Sequence, residues 1–339
     1  FPANTLGHEG EWAPDGMTYY SSALFTPEVT PIDVTDPSLP KTLGVIRDDV
    51  HGISLSDDGN RMYVAETSPD GLEIWDVSAY QARSPTAALS LDPIVVGSVY
   101  WPDGSGAQMT IPITIKGKPY VVFIDEGGGV DSSTGRSEQQ PGMTRLIDIS
   151  DETAPVVVAK LKNEINLPEY GAERATDGGA SGFTYQGHYC GVPKRDDPEL
   201  LACSYFWQGV RVFDIRDPLK PREIAYFVPG DDRAGNPGAK GNASSAIRFR
   251  MDRNEIWFTD QGHGFMIARF TKPLAELLGP EPGVVTAVPV TPTPTTTAST
   301  DDSKFGAGAL GLWAVLWTLV LAASRPFVFT RLSWRAWQD

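Results

Sequence analysis

Three of the four histidines, His8, His51 and His188, hold one place in a recurring pattern. Each opens a stretch that alternates apolar and polar residues and runs on to an aspartate. His8 precedes Asp33 by 25 positions, His51 precedes Asp76 by 25, and His188 precedes Asp214 by 26. If the histidine ends of these units meet at a common axis, the imidazoles converge on an anion or on a divalent metal, Zn or Ca. Glu9 would then be a base beside His8, and Trp207 an aromatic wall at the mouth. The competing expectation is architectural. A residue repeated in every unit often makes one structural hydrogen bond per unit.

The aspartates invite the same weighing. Asp33, Asp76, Asp148 and Asp214 could form a carboxylate cluster for acid or base work. Each stands before a polar turn (Thr-Asp-Pro, Ser, Ser-Asp or Arg-Asp-Pro), so acceptance of backbone N–H groups there is expected instead. The acidic, glycine-rich insertion over 125–138 could offer oxygen ligands to Ca²⁺, yet its spacing fits no defined calcium loop, and a surface loop is expected. No Gly-x-Ser-x-Gly elbow, His-Glu-x-x-His pair or phosphate-cradling Gly-Lys-Ser/Thr loop is present. A catalytic reading therefore rests on the histidines alone. Cys190 and Cys203, 13 positions apart, suit a disulfide across a hairpin; two free buried thiols are the alternative. Trp12, Tyr19, Tyr20, Trp75, Trp101, Tyr189, Trp207 and Trp257 are expected mostly in the core, with a fraction at a binding mouth.

The elements that would position these residues are legible as repeats. His51 to Glu66 alternates around Asp58-Gly59, a two-strand hairpin, and His8 to Tyr20 repeats it around Asp15-Gly16. A third strand follows, as in Ile32-Asp33-Val34 and Ile74-Trp75-Asp76. Then a proline introduces a fourth, as at Pro40, Pro155 and Pro221. Four strands in a unit of 43 residues, counted from His8 to His51, predict an all-β chain folded as a β-propeller. Five units are visible, and the length of residues 1–279 predicts about six blades, with five to seven possible.

These strand ends resemble the LVIVD-repeat family of exported bacterial β-propellers, in which an apolar strand ends in Val-Asp and is followed by Ser-Asp-Pro and a later proline. The matching stretches are Ile32 to Pro40, Leu72 to Ser78, Arg145 to Pro155, Val210 to Pro221 and, most closely, His188 to Pro218. The resemblance implies a propeller fold and export; the family supplies no assigned activity.

A formal charge of −15 argues against nucleic acid as a partner, because an acidic surface repels phosphate backbones. Residues 280–304 form a Pro/Thr-rich linker, expected to be extended. Phe305 to Ala323 is uncharged and long enough for one transmembrane helix. Asp301 and Asp302 precede it while Arg325, Arg331 and Arg335 follow in a basic, aromatic tail over 324–339, which places the propeller outside the cell. The start, Phe1-Pro2-Ala3-Asn4, carries no apolar run, so a processed chain or a fragment is expected. The expected protein is thus a monomeric binding or scaffolding module at the cell surface or in the periplasm. Its expected partner is an extracellular protein, glycan or cell-wall component. The alternative is a metal-assisted hydrolase or lyase with a histidine-lined axial site.

Overall fold

Asp-Gly turns close the first hairpins as the alternation predicts. Asp58 Oδ1 accepts the N–H of Asn60 at 3.0 Å, and Gly59 adopts a φ of 76°, a conformation that a side chain would oppose. The computed structural model describes residues 7–23, 26–83, 92–104, 106–127, 143–161, 163, 185–230 and 241–282. Within them the strands form five antiparallel meanders.

The first sheet holds β1 (Glu9–Trp12), β2 (Thr18–Ala23), β3 (Glu28–Asp33) and β4 (Lys41–Thr42). The second holds β5 (Val50–Leu55), β6 (Arg61–Thr67), β7 (Asp70–Asp76) and β8 (Val95–Tyr100), with a short helix α1 (Ser78–Gln81) before β8. The third holds β9 (Ala107–Ile115), β10 (Lys118–Asp125), β11 (Thr144–Asp148) and β12 (Val156–Leu161). The fourth holds β13 (Cys190–Gly191), β14 (Leu200–Ser204), β15 (Val210–Asp214) and β16 (Arg222–Phe227). The fifth has three strands, β17 (Arg248–Arg250), β18 (Glu255–Asp260) and β19 (Gly264–Arg269), followed by helix α2 (Leu274–Leu278).

Alternation within a strand becomes a division of labour between two cores. Along β6, Met62 and Val64 pack toward the first sheet, whereas Tyr63 and Ala65 pack toward the third. Along β10, Val121 and Phe123 face the second sheet, and Val122 and Ile124 face the fourth. Leu201 and Cys203 of β14 face the third sheet, and Leu200 and Ala202 face the fifth. Both faces of a middle strand are therefore apolar, and burying a Leu, Ile or Phe side chain stabilises by roughly 1.5–3 kcal/mol. The first strands β1, β5, β9 and β13 touch in succession, as the inner strands of a β-propeller do. Arg248 on β17 lies in electrostatic reach of Glu11 on β1.

Among the described residues the strands form five blades, the lower end of the five to seven expected and one fewer than the favoured six. The fifth unit also departs from the four-strand pattern. β19 is its edge, with Phe265 and Ile267 exposed. Helix α2 instead docks on the fourth blade, where Arg216 and Arg222 donate to the carbonyl oxygens of Leu278 and Leu277 at 2.7 and 3.1 Å.

The chain divides into a unit over Phe1–Gly283 and another over Val284–Asp339, and the second lies outside the described residues, as do the expected membrane helix and tail and all of the expected linker beyond residue 282. Among the described residues no helix is long and apolar enough to cross a membrane.

Cys190 and Cys203 are direct partners in the β13–β14 ladder, 4.0 Å apart at Cα, and are joined as a disulfide. A closed loop of 13 residues removes unfolded-state entropy equivalent to about 3 kcal/mol in the chain-entropy model. The double variant Cys190→Ala/Cys203→Ala is expected to lose about 2–3 kcal/mol in a urea titration; an unchanged midpoint would show that the bridge closes a loop already ordered.

Candidate functional site

In every meander the first strand starts, and the second ends, at one end of the propeller. His8 immediately precedes β1 and Glu9 opens it, His51 is the second residue of β5, and His188 and Tyr189 immediately precede β13. Glu126 follows the last residue of β10. The cadence read from the sequence thus carries three histidines to a common end.

His51 is 5% exposed. Its Nδ1–H donates to the carbonyl oxygen of Ala107 at 2.8 Å, a group that can only accept, so Nε2 bears the lone pair. That Nε2 is buried with no hydrogen-bond partner and lies 3.9 Å from Glu9 Oε1. The His8 ring stands 5.0 Å from the His51 ring, centroid to centroid. Glu9 Oε1 accepts the Tyr189 hydroxyl at 2.5 Å and the Gln108 amide at 3.1 Å, a contact that ties the first, third and fourth blades together. A Cβ at Gly52 would stand 2.2 Å from the Gln108 carbonyl oxygen and 2.8 Å from Glu9 Oε2, so β5 passes this close only as glycine.

His8, Glu9 and His51 each offer a ligand atom, all within 4.8 Å of one another. Ligands sharing a tetrahedral ion at about 2.1 Å stand about 3.4 Å apart, so small side-chain rotations close the set. A carbonyl holding Nδ1–H while Nε2 faces inward is the usual support of a metal-binding histidine. Two imidazoles and a carboxylate suit a borderline transition ion such as Zn²⁺ and not Ca²⁺, which takes oxygen ligands.

His188 does not join this set, contrary to the expected trio of His8, His51 and His188. The ring is held at Nδ1 by the Ser244 carbonyl of the fifth blade, and its Nε2 lies 3.7 Å from Glu126 Oε1. Glu9 takes its place because it shares the start of β1 with His8. Trp207 also stays outside the set and packs edge-on against Tyr185. The architectural expectation of one structural bond per histidine is met at His51 and His188, with the bond made to a neighbouring blade: Ala107 of the third for His51 and Ser244 of the fifth for His188.

Burial governs the charges. It raises Glu9 to about 7, against the hydrogen bond from Tyr189, and raises Glu126 to about 7 with help from the Glu9 charge. Burial lowers His51 to about 4, helped by His8 and opposed by the Ala107 bond. Burial lowers His188 to about 4 as well, opposed by the Ser244 bond and helped by His8. Between pH 6.5 and about 7.5 the unfolded histidines are still partly protonated while the folded ones are neutral, which opposes but does not cancel the carboxyls; above about 7.5 both histidines are neutral folded or unfolded and contribute no slope. The two carboxyls hold protons in the folded state that the unfolded chain has already released above about 4.5, so stability falls as pH rises through 7. The metal-free protein, kept in chelator, is expected to show a melting temperature that declines from pH 6.5 to 8, with a shallower decline in Glu126→Gln. A flat or rising profile would show that these carboxyls ionise freely.

The sequence gives no sign of Gln108; it offers Tyr189 only among the aromatics of which a fraction lies at a mouth, and Glu126 only within the 125–138 insertion. Glu126 is held by its neighbour: Asp125 accepts Arg145 Nε and Nη2 at 3.1 and 2.8 Å and Trp101 Nε1 at 3.1 Å, which fixes the end of β10. Asp125 is therefore committed to an ion pair and does not open a calcium loop; Asp131 and Glu138 lie outside the described residues. Asp33, Asp76, Asp148 and Asp214 form no cluster. Each Oδ1 accepts the N–H two residues on, at 2.9, 2.9, 2.8 and 3.1 Å. A surface depression around Arg61 and Glu152 sits at the opposite end of the second and third blades, where these two pair at 2.9 Å.

No family model and no curated protein matches the chain. Among solved structures it is similar to the β-propeller domain of Myceliophteria thermophila Cps50 (Swd1), at 12% identity over 77% of this chain and 70% of that one, with a TM-score of 0.49. A functionally unknown protein from Desulfotomaculum acetoxidans aligns at 8% identity over 80% and 70% of the two chains, TM-score 0.48. The WD40 domain of Toxoplasma gondii coronin aligns at 14% identity over 76% and 54%, TM-score 0.46.

Proposed function

We propose that this chain is a ligand-binding propeller whose axial mouth carries a divalent transition ion on His8, Glu9 and His51. A β-propeller is compatible with a binding or scaffolding module, and the metal would give that module its specificity. One observation carries the reading: the bare, buried Nε2 of His51, oriented by the Ala107 carbonyl, beside Glu9 and the ring of His8. Three protein ligands would leave the ion a further coordination position for an oxygen-bearing ligand; Tyr189 lies beside Glu9, and Glu126 beside His188. Membership of the LVIVD-repeat family and display outside the cell belong to the same proposal; the strand-end motifs support the first and the Cys190–Cys203 bridge supports the second.

Titration with Co²⁺ tests the site. One equivalent with visible absorption bands of nitrogen and oxygen ligation is expected, absent in Glu9→Gln/His51→Ala; identical titrations of both proteins would refute it.

A second reading, metal-assisted hydrolysis, is favoured by Glu126. A bound ion would acidify water, and a carboxyl poised near 7 beside His188 can take up the proton. Ester turnover lost in Glu126→Gln with Co²⁺ binding retained would select this reading over simple binding.

A further inference from the structure

Away from the axis, the second blade gathers Asp48, just before β5, with Glu66 near the end of β6 and Glu73 within β7. Their carboxylate oxygens all lie within 4.8 Å of one another. In the β6–β7 ladder Glu66 opposes Gly71 and Glu73 opposes Val64, so the two glutamates stand two residues apart in register and share a face. Glu73 is fixed by two donors, Trp75 Nε1–H at 2.6 Å and the Tyr100 hydroxyl. Glu66 is 2% exposed; its Oε1 accepts Ser68 N–H at 3.0 Å, while its buried Oε2 has no hydrogen-bond partner. Among the described residues no ion pair involves Asp48, Glu66 or Glu73. Asp48 is only half-buried, which leaves the cluster a route to solvent.

We propose that Asp48, Glu66 and Glu73 hold a hard divalent cation, Ca²⁺ in class, at a site separate from the axial one. Three carboxylates without an imidazole are the donor set of such ions, which take six to eight oxygens at about 2.3–2.6 Å and accept carbonyls and water for the remainder. The ion supplies the partner that Glu66 Oε2 lacks and offsets the mutual repulsion of the three acids. Without it, burial raises Glu66 to about 8 against the Ser68 bond, and the charges of Asp48, Glu73 and Asp49 add to the rise. The rival arrangement is a single proton shared by Asp48 and Glu66, whose carboxyls lie in hydrogen-bonding reach.

Terbium(III) separates the two, because Glu73 is bonded to the Trp75 indole and an ion there sits one carboxylate from a sensitiser. At neutral pH in the full chain, excitation of tryptophan is expected to give saturable Tb³⁺ emission, displaced by Ca²⁺, and Ca²⁺ is expected to raise the melting temperature by several degrees. Glu66→Gln and Asp48→Asn should each weaken Tb³⁺ at least tenfold, while His51→Ala should leave it unchanged. Should Glu66→Gln fail to fold, Asp48→Asn at the half-buried rim carries the test. Emission that neither substitution alters, or a melting temperature unmoved by Ca²⁺ but raised by Glu66→Gln, overturns the proposal in favour of proton sharing. The His51→Ala arm keeps this result distinct from the axial reading, which has its own Co²⁺ readout.

Discussion

His51→Ala is expected to weaken Zn²⁺ binding more than about 100-fold, beyond the loss caused by disturbing an outer-shell partner. The imidazole is oriented before the ion arrives: Nδ1–H is held at 2.8 Å by the Ala107 carbonyl, and the burial that removes solvent from Nε2 also keeps it unprotonated. His51→Gln keeps a polar group of similar reach without the imidazole nitrogen, so it should lose the metal with a smaller change in folding. Calorimetric titration of both variants checks this. Affinity within threefold of the parent in either would mean that the imidazole is only a tie between the second and third blades.

Arg145→Met is expected to cost about 3–5 kcal/mol and to lower the melting temperature by roughly 10 °C. Arg145 is fully buried, pairs with the buried Asp125 at 2.8 Å, and stacks 4.3 Å over the Trp101 ring. Methionine fills the volume but leaves Asp125 with the Trp101 donor alone. The cost comes from the orphaned carboxylate, so the double variant Arg145→Met/Asp125→Leu should be more stable than Arg145→Met. Denaturant titration decides this; a double variant less stable than the single one would mean that the pair itself is the stabilising element. Because Asp125 anchors the end of β10, the same substitution should also relax Glu126.

How much of this was legible in the sequence follows from which forces act locally. The turn aspartates were readable because an aspartate bonding the N–H two residues on is a local event, which Asp33, Asp76, Asp148 and Asp214 all bear out. The blade register of His8, His51 and His188 was readable because strand order repeats. Glu9 beside His8 is legible because the two are adjacent; that His188 stands apart is not, since it depends on which side chains meet between blades: Tyr189 reaches Glu9 across 180 positions, and no spacing within a blade encodes that reach. Blade number is less legible, because chain length bounds it only to between five and seven, and the described residues form five. The acidic trio is not legible in the sequence, because Asp48, Glu66 and Glu73 meet only after β5, β6 and β7 pair.

An anomalous difference map from a crystal soaked in Zn²⁺, recorded at the zinc edge, tests the axial centre most directly. One strong peak is expected about 2.0–2.2 Å from nitrogens of His8 and His51 and from a Glu9 oxygen. An empty map at that position at saturating Zn²⁺, with His51 still bonded to Ala107, would contradict it.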